Sequence, residues 1–259
     1  PEDIDLLRLL LIARLKVGDA LGAAAASERL QAVSKMEPRD DVLCAVAAMA
    51  VGDIETALRF SERAADVSDD SRELRVHARA LTRAGRTGDA LVVVRRILDR
   101  EPCETITLHD LAKLYRFLGD TDAARTTYER MLECAPYDPS PLVNLGNMAV
   151  EDGRIEAARA LYVEAARIAP NYALAHYSMG ALAFESGDWD DARESLRKAL
   201  SLAPVSSPVG RNAAAMIATL GVLRHLSGWR DWIRIQESGQ LKRAQEIGLL
   251  VLVVILGIW

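Results

Sequence analysis

Aromatic residues are scarce in this chain. They make up 5% of its 259 positions, although half of all residues are apolar. The apolar content is therefore mostly Ala and Leu, which head the helix propensity scale, whereas strands prefer β-branched and aromatic residues. Cysteine is almost absent. Cys44, Cys103 and Cys134 form no CxxC pair and no metal spacing with a histidine. They read as reduced, packing cysteines, and they leave the redox compartment undecided. Basic excess is missing too. The net charge of −5 argues against a general nucleic-acid binder, so no nucleic-acid partner is expected.

Catalytic motifs are also lacking. The chain has no GxxxxGK[ST] loop, no nucleophile elbow and no HExxH. His77, His109, His176 and His225 stand apart from one another. The acidic run Gly187–Asp191 (GDWDD) lacks the spacing and the distal Glu of a cation loop. These absences predict no catalytic residue, no metal and no cofactor. The chain begins with Pro1 rather than Met, so an N-terminal signal could precede what is seen.

What the chain does contain is a repeat. "VGDALGAAAASER" starts at Val17 and "VGDIETALRFSER" at Val51. Glycines recur at 18, 52, 85, 119, 153 and 187, spaced 34, 33, 34, 34 and 34. An alanine follows each, at 23, 57, 90, 124, 158 and 192, and prolines fall at 102, 136, 170 and 204. Each mark has a mechanical reason. Gly adopts the left-handed conformation that ends a first helix, Ala lets a second helix come close, and Pro closes that second helix. Between the marks, apolar positions such as Leu108, Leu111, Ala112 and Tyr115 keep helical spacing. One unit is a helix–turn–helix that buries its apolar face only when stacked on another.

The stretch Pro139–Pro170 carries Leu142, Leu145, Gly146, Gly153, Ala158, Tyr162 and Ala165 in one register, and Met179, Gly180, Gly187, Ala192, Leu196, Ala199 and Pro204 follow. In these positions the chain resembles the tetratricopeptide repeat family over roughly residues 4 to 206. Earlier units depart from the pattern: Ala78 and Ala112 replace the first-helix Gly, and Asp69 stands in place of Pro. The resemblance implies an all-α, right-handed superhelical solenoid of about six units (1–206). Beyond it we expect a capping helix (207–227), an amphipathic or interfacial helix (228–246) and a hydrophobic helix (247–259).

The C-terminal region differs in charge as well as in period. Between Val205 and Ile247 six basic residues face three acidic ones, and the first 204 residues carry −8. Trp229 and Trp232 sit beside Arg230 and Arg234, an arrangement that suits either a further capping helix or a membrane interface. Lys242 and Arg243 then precede the uncharged run "IGLLVLVVILGIW", which ends on Trp259. As a helix that run spans about 20 Å, short of a hydrocarbon core of roughly 30 Å. It reads as a membrane-inserting segment, with burial in a partner protein as the rival.

In this family the concave groove is lined by first-helix residues. The register places Arg72, Arg75, Arg79 and Arg83 on one helical face, then His109, Lys113 and Arg116, then Asn144 and Asn147, then Tyr177 and Phe184. A basic wall with no acidic partner nearby, grading into amides and aromatics, fits an extended, partly acidic peptide. Asn144 matches one position of the carboxylate clamp found in some family members. Leu174 and Ser178 lack the positive charge that clamp needs.

The expectation is a non-enzymatic adaptor that binds a protein segment in its groove and attaches to a membrane or membrane complex through its C-terminus. The repeats would face the cytoplasm, with the periplasm as the alternative. A second reading makes the chain a regulatory or substrate-recruiting part of a larger enzyme or assembly machine.

Overall fold

A computed structural model describes residues 3–33 and 36–221. Those residues are helical throughout their regular structure. Twelve helices run in order: α1 (Ile4–Lys16), α2 (Ala20–Val33), α3 (Pro38–Val51), α4 (Ile54–Val67), α5 (Ser71–Arg83), α6 (Thr87–Arg100), α7 (Thr105–Phe117), α8 (Thr121–Cys134), α9 (Ser140–Glu151), α10 (Ile155–Ile168), α11 (Ala173–Ser186) and α12 (Trp189–Leu202). Residues 208–221 form a further helical stretch.

The punctuation seen in the sequence works as expected. All six repeat glycines have positive φ, between 73° and 83°, a region that other residues adopt only with strain. At three of the four places where Asp follows the glycine, Asp19, Asp53 and Asp120, its carboxylate caps the second helix; Asp188 makes no such bond. Asp53 accepts from the Thr56 N–H at 3.1 Å, and Asp120 from the Ala123 N–H at 3.0 Å. At the other end, α6, α8, α10 and α12 each stop two residues before a proline.

The chain divides between Tyr137 and Asp138 into two compact units. In the first, α1–α8 form four helix pairs. Each second helix also packs on the first helix of the next pair, and α1, α3 and α5 are neighbours in sequence of stacking. The N-terminal core joins Leu7, Leu11, Leu30, Met49 and Phe60 around a floor of small alanines. In the second unit α9–α12 form two pairs. The stretch 208–221 buries Ala213 and Leu220 with Ala183 of α11 and Leu196 of α12.

The first-helix glycine explains itself at Gly146. A methyl group there would lie 2.4 Å from the Tyr162 ring, so the missing side chain is what allows α10 to approach α9.

The cysteine expectation is corrected. Cys103 and Cys134 form a disulfide with Cα atoms 5.3 Å apart, and Cys44 alone is free and buried. The separation of 31 residues is the out-and-back length of one helix pair. It brings the loop before α7 and the last turn of α8 to the same end of the unit.

Among the described residues no helix is long and apolar enough to cross a membrane. The expected helix 228–246 and segment 247–259, with Trp229, Trp232, Lys242, Arg243 and Trp259, lie outside the described residues. His225 and the end of the expected capping helix do too.

Candidate functional site

The candidate surface of the first unit is the outward face of α5 and α7. Arg72, Arg75, Arg79 and Arg83 follow one another at intervals of three and four along α5, so they share a face. They do not share a fate. Arg75 forms an ion pair with Glu104, the residue that caps α7 by accepting from the Thr107 N–H at 2.6 Å. Burial would raise the Glu104 pKa, but the bonds from Thr107 and the Arg75 charge outweigh it and hold that carboxyl below its ordinary range. Arg83 donates to the Met49 carbonyl in the last turn of α3. The expectation that the row has no acidic partner is thus corrected at Arg75, where the pairing ties α5 to the start of α7.

Arg72 and Arg79 remain exposed on α5. On α7, Lys113 is exposed, and His109 and Arg116 are half-buried. The His109 ring lies 6.4 Å from that of Tyr128, a packing contact between α7 and α8. No hydrogen bond or ion pair holds the side chain of Arg79 or Lys113 among the described residues.

Sequence reasoning missed two members of this face. Thirty-four residues beyond Arg72 stands Ile106, and 34 beyond Arg83 stands Phe117. Both are largely exposed, Phe117 at 73%, and with His109 and Lys113 they make one face of α7. The same register that found the arginines would have found them, had it been applied to apolar residues. The surface of α5 and α7 is therefore basic on one helix and mixed apolar and basic on the next.

The second unit uses its candidates internally. The Asn144 amide donates to the Ser140 carbonyl at 2.9 Å, within α9. Asn147 accepts from the Tyr162 hydroxyl at 2.7 Å. Tyr177 and Phe184 pack against the α11–α12 core, and Phe184 meets Trp189 edge-on at 5.6 Å. A shallow cleft of about 260 Å³ lies among α10, α11 and α12, lined by Arg159, Val163, Met179 and Asp191. It is small beside ligand pockets of roughly 300–1,000 Å³.

The remaining histidines serve local contacts. His77 lies 3.1 Å from the Ser61 hydroxyl and is half-buried, which lowers its pKa; His176 lies 2.9 Å from the Pro170 carbonyl. Among the described residues no group of three or more His, Cys, Asp or Glu side chains could hold a metal ion.

Tetratricopeptide-repeat family models match residues 106–148 and 138–204. Over residues 106–204 the chain is matched as tetratricopeptide repeats. The fold agrees with solved structures of such proteins at low sequence identity. One is the C-terminal part of a TPR repeat-containing protein from Cytophaga hutchinsonii, at TM-score 0.57 and 15% identity over 77% of this chain and 79% of that one. Another is a chain of the APC/C hetero-tetramer Cut9–Hcn1, at TM-score 0.60 and 16% identity, covering 86% of this chain and 44% of that one. MamA matches at TM-score 0.49 and 17% identity, over 65% of this chain and 96% of its own. A sequence comparison with curated proteins gives no match. Tetratricopeptide repeats are in general non-catalytic units that bind protein partners. The helix pairs described above are such repeats, and the α5 and α7 faces are first-helix faces of consecutive ones.

Proposed function

We propose that this tetratricopeptide-repeat chain is a protein-binding scaffold whose first unit holds an extended or helical segment bearing acidic and apolar side chains. The observation that supports this is the pairing of exposed Arg72, Arg79 and Lys113 with exposed Ile106 and Phe117 on adjacent first helices. Guanidinium and ammonium groups would meet carboxylates, and the two apolar side chains would lose water against the segment's apolar face. Arg75 and Arg83 act as framework, holding α5 to its neighbours so that the exposed cations keep their spacing.

The test is charge reversal at the two cations with no internal partner. Arg79→Glu with Lys113→Glu should weaken partner binding about tenfold or more and flatten its salt dependence, at unchanged helical content. Unchanged binding would reject the reading.

The same proposal gives residues 247–259 the role of attaching the scaffold to a membrane or a membrane complex. Their lack of charge and the preceding Lys242–Arg243 pair support it. The Cys103–Cys134 disulfide supports the location outside the cytoplasm, since such bonds persist in oxidising compartments. Fractionation of chains with and without residues 241–259 checks the attachment. It should place the intact chain with membranes and release the shortened one; equal partitioning would count against it.

A further inference from the structure

Four successive residues in the turn between α6 and α7 each tie that turn to another helix. Glu101 accepts a hydrogen bond from the Ser71 hydroxyl and Glu104 pairs with Arg75, so both acids hold α5. Between them, the Pro102 carbonyl accepts from Arg130 of α8 at 2.6 Å, and Cys103 is bonded to Cys134 in the last turn of α8. Glu104 is also the N-cap of α7. The turn therefore joins α5, α7 and α8, and it fixes where α7 begins beside α5.

Only one of these ties is covalent. The others are hydrogen bonds and an ion pair at exposed or half-buried groups, which compete with water and add little each. The covalent tie is also within reach of solvent. Cys103 is exposed and Cys134 half-buried, whereas Cys44 is buried. Exposed disulfides are the ones that thiol–disulfide exchange reaches. The helix pair itself does not depend on the bond, since α7 and α8 pack on each other with Leu108, Ala112, Tyr128 and Met131 buried.

We propose that Cys103–Cys134 is a thiol–disulfide exchange site through which a reducing dithiol controls the α5–α7 face. A thiolate of the dithiol attacks the sulfur of Cys103, the S–S bond breaks, and Cys134 leaves as a thiolate that takes a proton from water. The second thiol of the reagent gives up its proton to water and attacks the mixed disulfide, releasing Cys103 to be protonated in turn. The cysteine pair gains two electrons and two protons, and the dithiol is oxidised to its own disulfide. With the bond open, residues 101–104 lose their covalent hold on α8, and the first turn of α7 loses its fixed place beside α5. Arg72 and Arg79 on one helix, with Ile106, Lys113 and Phe117 on the other, then no longer keep one spacing. A segment that bridges the two helices must order them as it binds, which lowers its affinity. This regulation rests on the scaffold reading of that face; the loosening of α7 does not.

The test compares the full chain in non-ionic detergent before and after dithiothreitol. Circular dichroism should show the helices retained, and hydrogen exchange should quicken over residues 101–108 on reduction. A peptide selected from random sequences on the oxidised chain should bind the reduced chain about fivefold or more weakly. By linkage, saturating peptide should raise by the same factor the ratio of reduced to oxidised dithiothreitol needed for half-reduction. Cys103→Ser with Cys134→Ser should bind as the reduced chain does and ignore dithiothreitol. A disulfide that dithiothreitol leaves intact in the folded chain overturns the proposal, and so does unchanged exchange at residues 101–108. A response to dithiothreitol that survives the double serine change also overturns it, because it would belong to Cys44. If the oxidised chain captures no peptide, the scaffold reading has failed and the regulation falls with it. Equal affinity of the two forms leaves that reading standing and overturns the regulation alone.

Discussion

Asp40 shows how a single residue can matter without belonging to any binding face. Its carboxylate has no exposed surface and accepts from Arg8 Nε at 2.7 Å, from Arg8 Nη2 at 2.8 Å and from the Glu37 N–H at 3.0 Å. Burial pushes its pKa up, but the bonds from Arg8 and Glu37 outweigh it and leave the pKa below the ordinary carboxylate value. The unfolded chain then takes up a proton at a higher pH than the folded one. The stability from Asp40 is complete above the unfolded carboxylate pKa and is lost as pH falls through the folded value. Asp40→Ala, which leaves Arg8 with only Asp5 and Glu37 as partners, should cost about 1–3 kcal/mol at neutral pH. Asp40→Asn should flatten the decline of stability on the acid side. Denaturant unfolding of both variants from neutral to acid pH checks this, and an acid decline identical to the wild type would refute it. This pair was not legible, because nothing in a 34-residue period marks the aspartates of "PRDD" as buried. Gly146 and the turn glycines were legible for the opposite reason. Only one residue type satisfies their geometry, so its recurrence exposes the constraint.

At the scale of the element, helix boundaries were the most legible feature. Gly, Asp and Pro act on the backbone locally, and their effect does not depend on what packs where. The disulfide was not legible, since it depends on a helix pair bringing residues 103 and 134 together after 31 positions. It closes α7 and α8 into a loop, and such closures stabilise by about 2–4 kcal/mol through restriction of the unfolded chain. The oxidised protein, unfolded without reductant, should show one titratable thiol, that of Cys44, against three after reduction. Reduction should shift the unfolding midpoint downward. Three thiols before reduction would contradict the pairing. The row on α5 was legible as a face but not as a set of roles. Spacing alone could not tell that Arg75 and Arg83 point at partners while Arg79 does not.

At the scale of the whole molecule, what repetition builds is distinct from what it leaves over. Repetition accounts for the helix pairs and their cores, and the period announced it. What is left over is the surface proposed for recognition: cations and apolar side chains on α5 and α7 that the cores do not consume. The amides and aromatics of the second unit looked equivalent in sequence, yet they are taken up by Ser140, Tyr162 and Trp189 within that unit. The proposed surface would select a segment by its chemistry. That chemistry can be measured without knowing the partner. Peptides of random sequence selected on the wild-type chain should be enriched in acidic residues interleaved with apolar ones. They should lose about tenfold or more in affinity against Arg79→Glu with Lys113→Glu. Selected peptides that are neutral or basic, or that bind the two chains equally, would contradict the account.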